Sequence, residues 1–119
     1  MLINKSDSKK IISKVRIADS SWKRLRGLMF ENQALFDYAL VFDLPRESVL
    51  NATIHMLFVF FPIDVVFLDK NRKVVDIIKS LQPFTPSCSP KKPAKFLIEL
   101  PAGKANGISE GNELEWNQK

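Results

Sequence analysis

The chain has 119 residues, 45% of them hydrophobic, and a formal net charge of +5. That length is typical of one domain, and nine phenylalanines among the apolar residues are enough to fill a single core. A single cysteine excludes an intramolecular disulfide, which fits a reducing compartment.

The first residues of the chain are polar and basic. No apolar stretch of signal-peptide length occurs in residues 1–10, which we expect to form a flexible basic lead before a single β-rich domain over 11–119. The apolar run 56–68 is too short to span a membrane and contains Asp64. These features predict a cytoplasmic protein with no membrane partner.

The first elements are a strand and a short helix. Alternating apolar residues predict the strand over 11–18. Asp19 or Ser20 then caps an amphipathic helix that ends at Gly27.

Further strands follow the helix, and Pro62 is expected to bend the chain between two of them. The connector 70–72 predicts a hairpin, and the proline-rich residues 82–93 predict an irregular loop. The predicted strands are 39–42, 53–62, 63–69, 73–79, 94–100 and 113–116. Together these elements indicate a mainly β fold, a single compact barrel-like or sandwich-like domain of about seven short strands with one short N-terminal helix.

The only histidine, His55, lies in the densest apolar run of the chain. An imidazole there can act as a general base or a metal ligand, or it can be a core histidine that hydrogen-bonds to backbone groups. A zinc site would need Cys88 and carboxylates as further ligands, because the sequence has no second histidine. We therefore expect no metal and no cofactor.

Asp64 shares a strand face with Leu68, so a carboxylate is expected at the head of an apolar face. A buried carboxylate needs an arginine, a lysine or several backbone donors, and Arg24 is the predicted partner. Asp64 can meet His55 only if the chain folds back near Pro62. The sequence does not decide whether Asp64 belongs to a structural ion pair or to a pair of residues that binds a ligand.

Two further features lie in the second half of the chain. Cys88 follows several prolines and precedes Lys91 and Lys92, whose charge favours a thiolate, so the thiol is either a nucleophile or an inert loop residue. Residues 99–104 form a strand-to-turn element. There Gly103 either lets an anion approach free backbone N–H groups or serves the turn geometry.

Positive charge is concentrated at the start of the chain. Residues 1–26 carry eight basic and two acidic side chains, a net charge of +6, against −1 for the remainder. This asymmetry is consistent with a nucleic-acid or acidic-surface contact. A solvated surface is the favoured interpretation, since no RNA-binding motif or metal-finger spacing accompanies it.

An ordered set of segments resembles domain of unknown function family 192. The segments are Arg-Leu-Arg-Gly-Leu-Met at 24–29, Leu-Val-Phe at 40–42, Ile-His-Met at 54–56, Pro-Ile-Asp-Val-Val-Phe-Leu-Asp at 62–69, Cys88, and Glu-Leu-Pro-Ala-Gly at 99–103. The resemblance covers about 11–116, and the His-Met variant is similar to the archaeal type. It implies one small β-rich domain without an established activity. The positions that match the motif are Arg24, Gly27, Met29, His55, Met56, Asp64, Cys88, Glu99 and Gly103.

Ionisable residues beside buried strands predict a binding domain with one apolar, polar-lined pocket for a small-molecule or anionic ligand. The predicted lining is Arg24, Met29, His55, Met56, Asp64, Cys88, Glu99 and Gly103. The alternative is a small hydrolase or transferase in which Cys88 or Asp64 acts with His55. A third hypothesis is a nucleic-acid contact through the basic N-terminal segment.

Overall fold

Eight β-strands in two sheets make up the computed structural model, which describes residues 1–20, 23 and 26–117. The strands are β1 (Leu2–Asn4), β2 (Lys9–Ile12), β3 (Lys14–Ile17), β4 (Tyr38–Ser48), β5 (Ile63–Leu68), β6 (Val74–Leu81), β7 (Ala94–Pro101) and β8 (Leu114–Trp116). A 3₁₀ turn spans Gln33–Leu35, where Asn32 caps it by accepting the N–H of Ala34.

The larger sheet has the strand order β3-β4-β7-β5-β6, and the smaller one has the order β2-β1-β8. All neighbouring strands are antiparallel except the parallel pair β3 and β4. Within the described residues neither sheet closes on itself, so the fold is sandwich-like and not a barrel. The mainly β prediction is confirmed, with eight strands instead of about seven.

Strand β5 is buried on both sides and divides the core into two parts. Val65 and Phe67 join a cluster that includes Met56 on one side of the larger sheet, which we call the loop face. Val66 and Leu68 join the other cluster with residues of β1 and β8, on the side that we call the sandwich face. Full burial of a side chain such as Phe67 stabilises the fold by about 1.5–3 kcal/mol.

The start of the chain differs from the expected flexible lead at residues 2–4, which form β1. This strand lies between β2 and β8, and Leu2 is completely buried in the sandwich-face cluster. Burial of that one leucine and pairing on both edges outweigh the polar character of the neighbouring residues.

The prediction of a strand over 53–62 is wrong. The backbone N–H of Met56 donates to Thr85 O at 2.7 Å, and the N–H of Phe84 donates to Met56 O at 2.8 Å, so these groups bond to a loop. Phe58 has a φ of 59°, which lies outside the range of strand residues. The segment covers the loop face with part of its apolar side chains, such as Met56, while others, such as Phe58, stay exposed, and this burial requires no ladder pairing.

The expected helix between Asp19 and Gly27 includes residues 21, 22, 24 and 25, which lie outside the described residues. At its end, the N–H of Gly27 donates to Lys23 O at 2.9 Å. Across the described part of the chain, no helix combines the length and the apolar character needed to cross a bilayer.

Candidate functional site

The side chain of Glu99 is the least satisfied polar group of the described core. Glu99 lies on β7 opposite Leu40 of β4 and Val65 of β5, which places it on the loop face of the larger sheet. It is 6% exposed, and its Oε1 atom accepts no hydrogen bond from any described residue. Burial raises the pKa of the Glu99 carboxyl to about 8, so the group is mainly protonated at neutral pH.

A cavity of about 210 Å³ lies over Glu99, and we call it the Glu99 pocket. Its walls are mostly apolar and include Met29 and Met56, while Arg26 and His55 add polar groups. Gly27 also lines the pocket. A Cβ atom there would lie 3.8 Å from Glu99 Oε1. Apolar walls with a few placed polar groups are typical of small-molecule sites.

The imidazole of His55 is held in one orientation by its own loop. The backbone N–H of Leu57 donates to His55 Nδ1 at 3.1 Å. In the neutral ring the proton therefore lies on Nε2, which leaves that atom as a hydrogen-bond donor at the pocket.

Three phenylalanines in loops near the pocket have strained backbones. Phe30, Phe58 and Phe84 have φ values of 62°, 59° and 62°, a left-handed conformation that bulky residues rarely adopt. The rings of Phe30 and Phe58 stack at 5.0 Å, and the N–H of Phe30 donates to Phe58 O at 2.8 Å. Strain of this kind is typical of loops whose geometry serves a site. Two of the strained residues follow closely after lining residues, Phe30 after Met29 and Phe58 after Met56.

Asp64 lies on the sandwich face, away from the Glu99 pocket, because it precedes Val65 in a strand whose side chains alternate. Its carboxylate accepts three backbone N–H bonds, from Ser80 at 3.0 Å, Gly103 at 2.9 Å and Ala105 at 3.0 Å. These donors account for the burial of the carboxylate and fix the turn after β7. The predicted partner Arg24 lies outside the described residues.

Cys88 is half-buried beside the loop-face cluster, where it forms an isolated β-bridge with Ile54. Burial raises the pKa of the Cys88 thiol, and the negative charge of Asp76 raises it further. The ammonium of Lys91 pairs with Glu110. The expectation that neighbouring lysines favour the thiolate is therefore not met, because desolvation dominates.

The structure brings together four of the eight predicted lining residues, since Met29, His55, Met56 and Glu99 all line the Glu99 pocket. Three others lie elsewhere: Asp64 and Gly103 bond to each other on the sandwich face, and Cys88 is not among the lining residues. The eighth, Arg24, lies outside the described residues. Lining residues that the prediction left out include Arg26 and Gly27, both within the motif segment 24–29.

No metal site is evident in the part of the chain that is described, and ion pairs take up part of the N-terminal positive charge. Among those residues, no group of three or more histidine, cysteine, aspartate or glutamate side chains is placed to hold a metal ion. Several lysines of the basic N-terminal segment are neutralised by ion pairs. These pairs are Lys5–Glu113, Lys14–Asp37 and Lys23–Asp19.

Comparison with known proteins places the chain among uncharacterised relatives. The model of family DUF192, described as an uncharacterised ACR, matches residues 2–116. A UPF0127 protein of Thermococcus sibiricus is 46% identical over 118 residues, which cover 98% of this chain and 74% of the relative. A UPF0127 protein of Pyrococcus furiosus is 41% identical over 119 residues, with 98% of each chain covered. The resemblance noted in the sequence is confirmed, and these relatives are archaeal.

Two crystal structures share the fold. A Novosphingobium aromaticivorans protein of unknown function has a TM-score of 0.74 at 26% identity, covering 86% of this chain and 74% of that one. A Sinorhizobium meliloti protein whose suggested role is transcription regulation has a TM-score of 0.81 at 24% identity, covering 96% and 88%. At that identity the second likeness shows the fold alone.

Proposed function

This chain belongs to the DUF192 family of uncharacterised proteins, and we propose that it is a small ligand-binding protein whose binding site is the Glu99 pocket. It would act as a single β-rich domain. The cytoplasm is the proposed location, supported by the free thiol of Cys88, the one cysteine of the sequence.

The proposal depends on one observation, the buried Glu99 oxygen that has no hydrogen-bond partner among the described residues. An unsatisfied buried polar group costs about 1–3 kcal/mol of stability. A leucine in the same place would remove this cost in a protein that served only as a scaffold. A ligand that supplies the missing partner explains why a carboxyl occupies the floor of a cavity.

The lining groups indicate the chemistry of the ligand. A protonated Glu99 can donate one hydrogen bond and accept another, and the Nε2 proton of His55 supplies a second donor. The methionine walls favour an apolar body, since methionine adapts its shape to different contacts. We therefore expect a small organic molecule that presents a carbonyl, hydroxyl or similar polar group to Glu99. At about 210 Å³ the pocket is smaller than typical drug-sized sites.

The alternative of a hydrolase or transferase has less support. Its two proposed nucleophiles were Cys88 and Asp64, and neither lines the Glu99 pocket with His55. The Cys88 thiol has a raised pKa, and the Asp64 carboxylate already accepts three backbone hydrogen bonds. A binding role requires neither group.

The proposal can be tested by a thermal-shift screen of a library of small polar metabolites at pH 7. A ligand at tenfold its Kd adds about 1.4 kcal/mol of stability, which raises the Tm by roughly 5 °C for a domain of this size. We expect at least one compound to give such a shift with the wild-type protein. The same compound should give a much smaller shift with the variant Glu99→Leu, whose side chain can neither donate nor accept a hydrogen bond.

The matched control is Glu115→Leu, which changes an exposed glutamate of β8 outside the pocket lining. This variant should respond to the compound as the wild type does. The proposal is contradicted if no compound raises the Tm of the wild type. It is also contradicted if every active compound shifts Glu99→Leu equally.

A further inference from the structure

We propose that a second cavity of about 480 Å³, beside the Glu99 pocket, binds a phosphate or carboxylate group through the guanidinium groups of Arg16 and Arg26. The cavity lies where β3 and β4 meet the segment 26–31, and Tyr38 and Glu31 also line it. Apart from Arg26 and Gly27, which line both cavities, the described lining of this cavity differs from that of the Glu99 pocket.

The guanidinium of Arg16 is held in place before any ligand arrives. Arg16 lies on β3, and its Cζ atom is 4.1 Å from the centre of the Tyr38 ring. Stacking on an aromatic face fixes the plane of the guanidinium while leaving its N–H groups available for an anion. Arg16 forms no ion pair with any residue that the structure describes.

Arg26 adds a second guanidinium at the boundary between the two cavities, and it lines both of them. It too forms no ion pair within the described residues. The ammonium of Lys23 also lines the larger cavity, but it lies 3.2 Å from Asp19 and is therefore already paired. Two unpaired arginines in one cavity are suited to an oxyanion, because the guanidinium fork matches carboxylate and phosphate oxygens.

The one acidic side chain among the described lining residues, Glu31, already has a partner. Its Oε2 atom accepts a hydrogen bond from the Tyr38 hydroxyl at 3.2 Å. Burial, with a further contribution from the Glu31 charge, raises the pKa of Tyr38 to about 12, so the phenol keeps its proton. With two guanidinium groups and one carboxylate, and with Lys23 paired to Asp19, the described lining keeps a net positive charge that favours an anion.

The anionic group can come from either of two sources. It can be a free anion, or it can be the charged end of a molecule whose apolar part occupies the Glu99 pocket, since Arg26 and Gly27 line both cavities. Inorganic phosphate and butyl phosphate separate these sources, because only butyl phosphate has an apolar part.

The test is a titration of the wild-type protein with each phosphate, followed by the Nε–Hε NMR signals of the arginine side chains. We expect the signals of Arg16 and Arg26 to shift in a saturable way with inorganic phosphate. The variants Arg16→Gln and Arg26→Gln should each weaken this binding at least tenfold. The control is Arg46→Gln, which removes an exposed arginine outside both cavities and should leave the Kd unchanged.

The inference is overturned if inorganic phosphate gives no saturable shift, or if it shifts the Arg46 signal as strongly as those of Arg16 and Arg26. Circular dichroism of each variant separates lost binding from lost folding. If butyl phosphate binds at least tenfold more tightly than inorganic phosphate, and Met29→Trp abolishes this difference in affinity, the anionic group is the charged end of a larger ligand. Equal affinities support a free anion. Because inorganic phosphate reports on this cavity alone, failure here leaves the Glu99 pocket standing.

Discussion

Replacing Glu99 by glutamine changes how the stability of the protein depends on pH. The pKa of this carboxyl is about 8 in the folded protein, against an ordinary value of 4.5. Above pH 4.5 the unfolded chain releases the proton, while the folded chain keeps it until about pH 8. The free energy of unfolding therefore falls as the pH rises through this interval, by up to about 1.4 kcal/mol per pH unit.

Between pH 5 and pH 8 the loss attributable to Glu99 is about 3 kcal/mol, a large part of the 5–15 kcal/mol typical of a folded domain. The variant Glu99→Gln has no proton to release, so it escapes this loss. Other titrating groups act equally in the two proteins, so the difference between their unfolding free energies isolates Glu99. We expect the variant to gain about 3 kcal/mol relative to the wild type from pH 5 to pH 8.

Urea unfolding, followed by tryptophan fluorescence at several pH values, measures this difference. The control Glu115→Gln removes an exposed carboxyl and should keep a constant offset from the wild type at every pH. The reasoning is refuted if the offset of Glu99→Gln also stays constant, within about 0.5 kcal/mol, from pH 5 to pH 8. That result would mean that the carboxyl is hydrated and ionises normally.

Three further results are expected from the same structure. Asp64→Asn places an amide N–H₂ group among three backbone N–H donors. This variant should lower the free energy of unfolding by about 3 kcal/mol. A loss below about 1 kcal/mol in urea unfolding would contradict this prediction. Gly27→Ala forces a left-handed alanine at φ 51° and should cost about 1 kcal/mol in the same assay; an unchanged midpoint would argue against that backbone conformation. The thiol of Cys88 should react with iodoacetamide at pH 7 at least several-fold more slowly than the thiol of free glutathione does, because burial raises the pKa of the Cys88 thiol. An equal rate would show that the Cys88 thiol is solvated.

The sequence was sufficient to predict most of the larger sheet. The strands over 63–69, 73–79 and 94–100 were predicted close to their observed bounds, because apolar content, alternation and the connector 70–72 all point to the same structure. Side-chain alternation also placed Asp64 correctly on the face of Leu68.

The sequence of one strand alone could not predict which face of the sheet each of its side chains occupies. Glu99 was predicted to line the same pocket as Asp64, but β7 pairs with β5 in a register that sets Glu99 opposite Val65 and Asp64 opposite Leu100. A shift of one residue in that register would reverse the face of every side chain on β7. Register depends on the partner strand, and no local pattern in residues 94–100 specifies it.

The covering segment 53–62 was misjudged for a related reason. Its apolar residues resemble a buried strand, yet they cover the loop face while their backbone groups bond to the loop around Thr85. Apolar composition reports that a segment is buried without reporting which backbone partners it has. The pocket residue Gly27 was left out of the predicted lining for a different reason. It was interpreted as the end of a helix and as a motif position, and neither interpretation indicates that it lines a cavity.

The account depends on a protonated Glu99 carboxyl that faces an apolar cavity and is available to a ligand. A ¹³C NMR titration of the Glu99 side-chain carboxyl carbon measures that state directly. We predict a pKa of about 8 for the protein without ligand, and a clear displacement of this value when a compound from the thermal-shift screen is bound. A pKa near 4.5, unchanged by any such compound, would contradict the assignment of this cavity as the binding site.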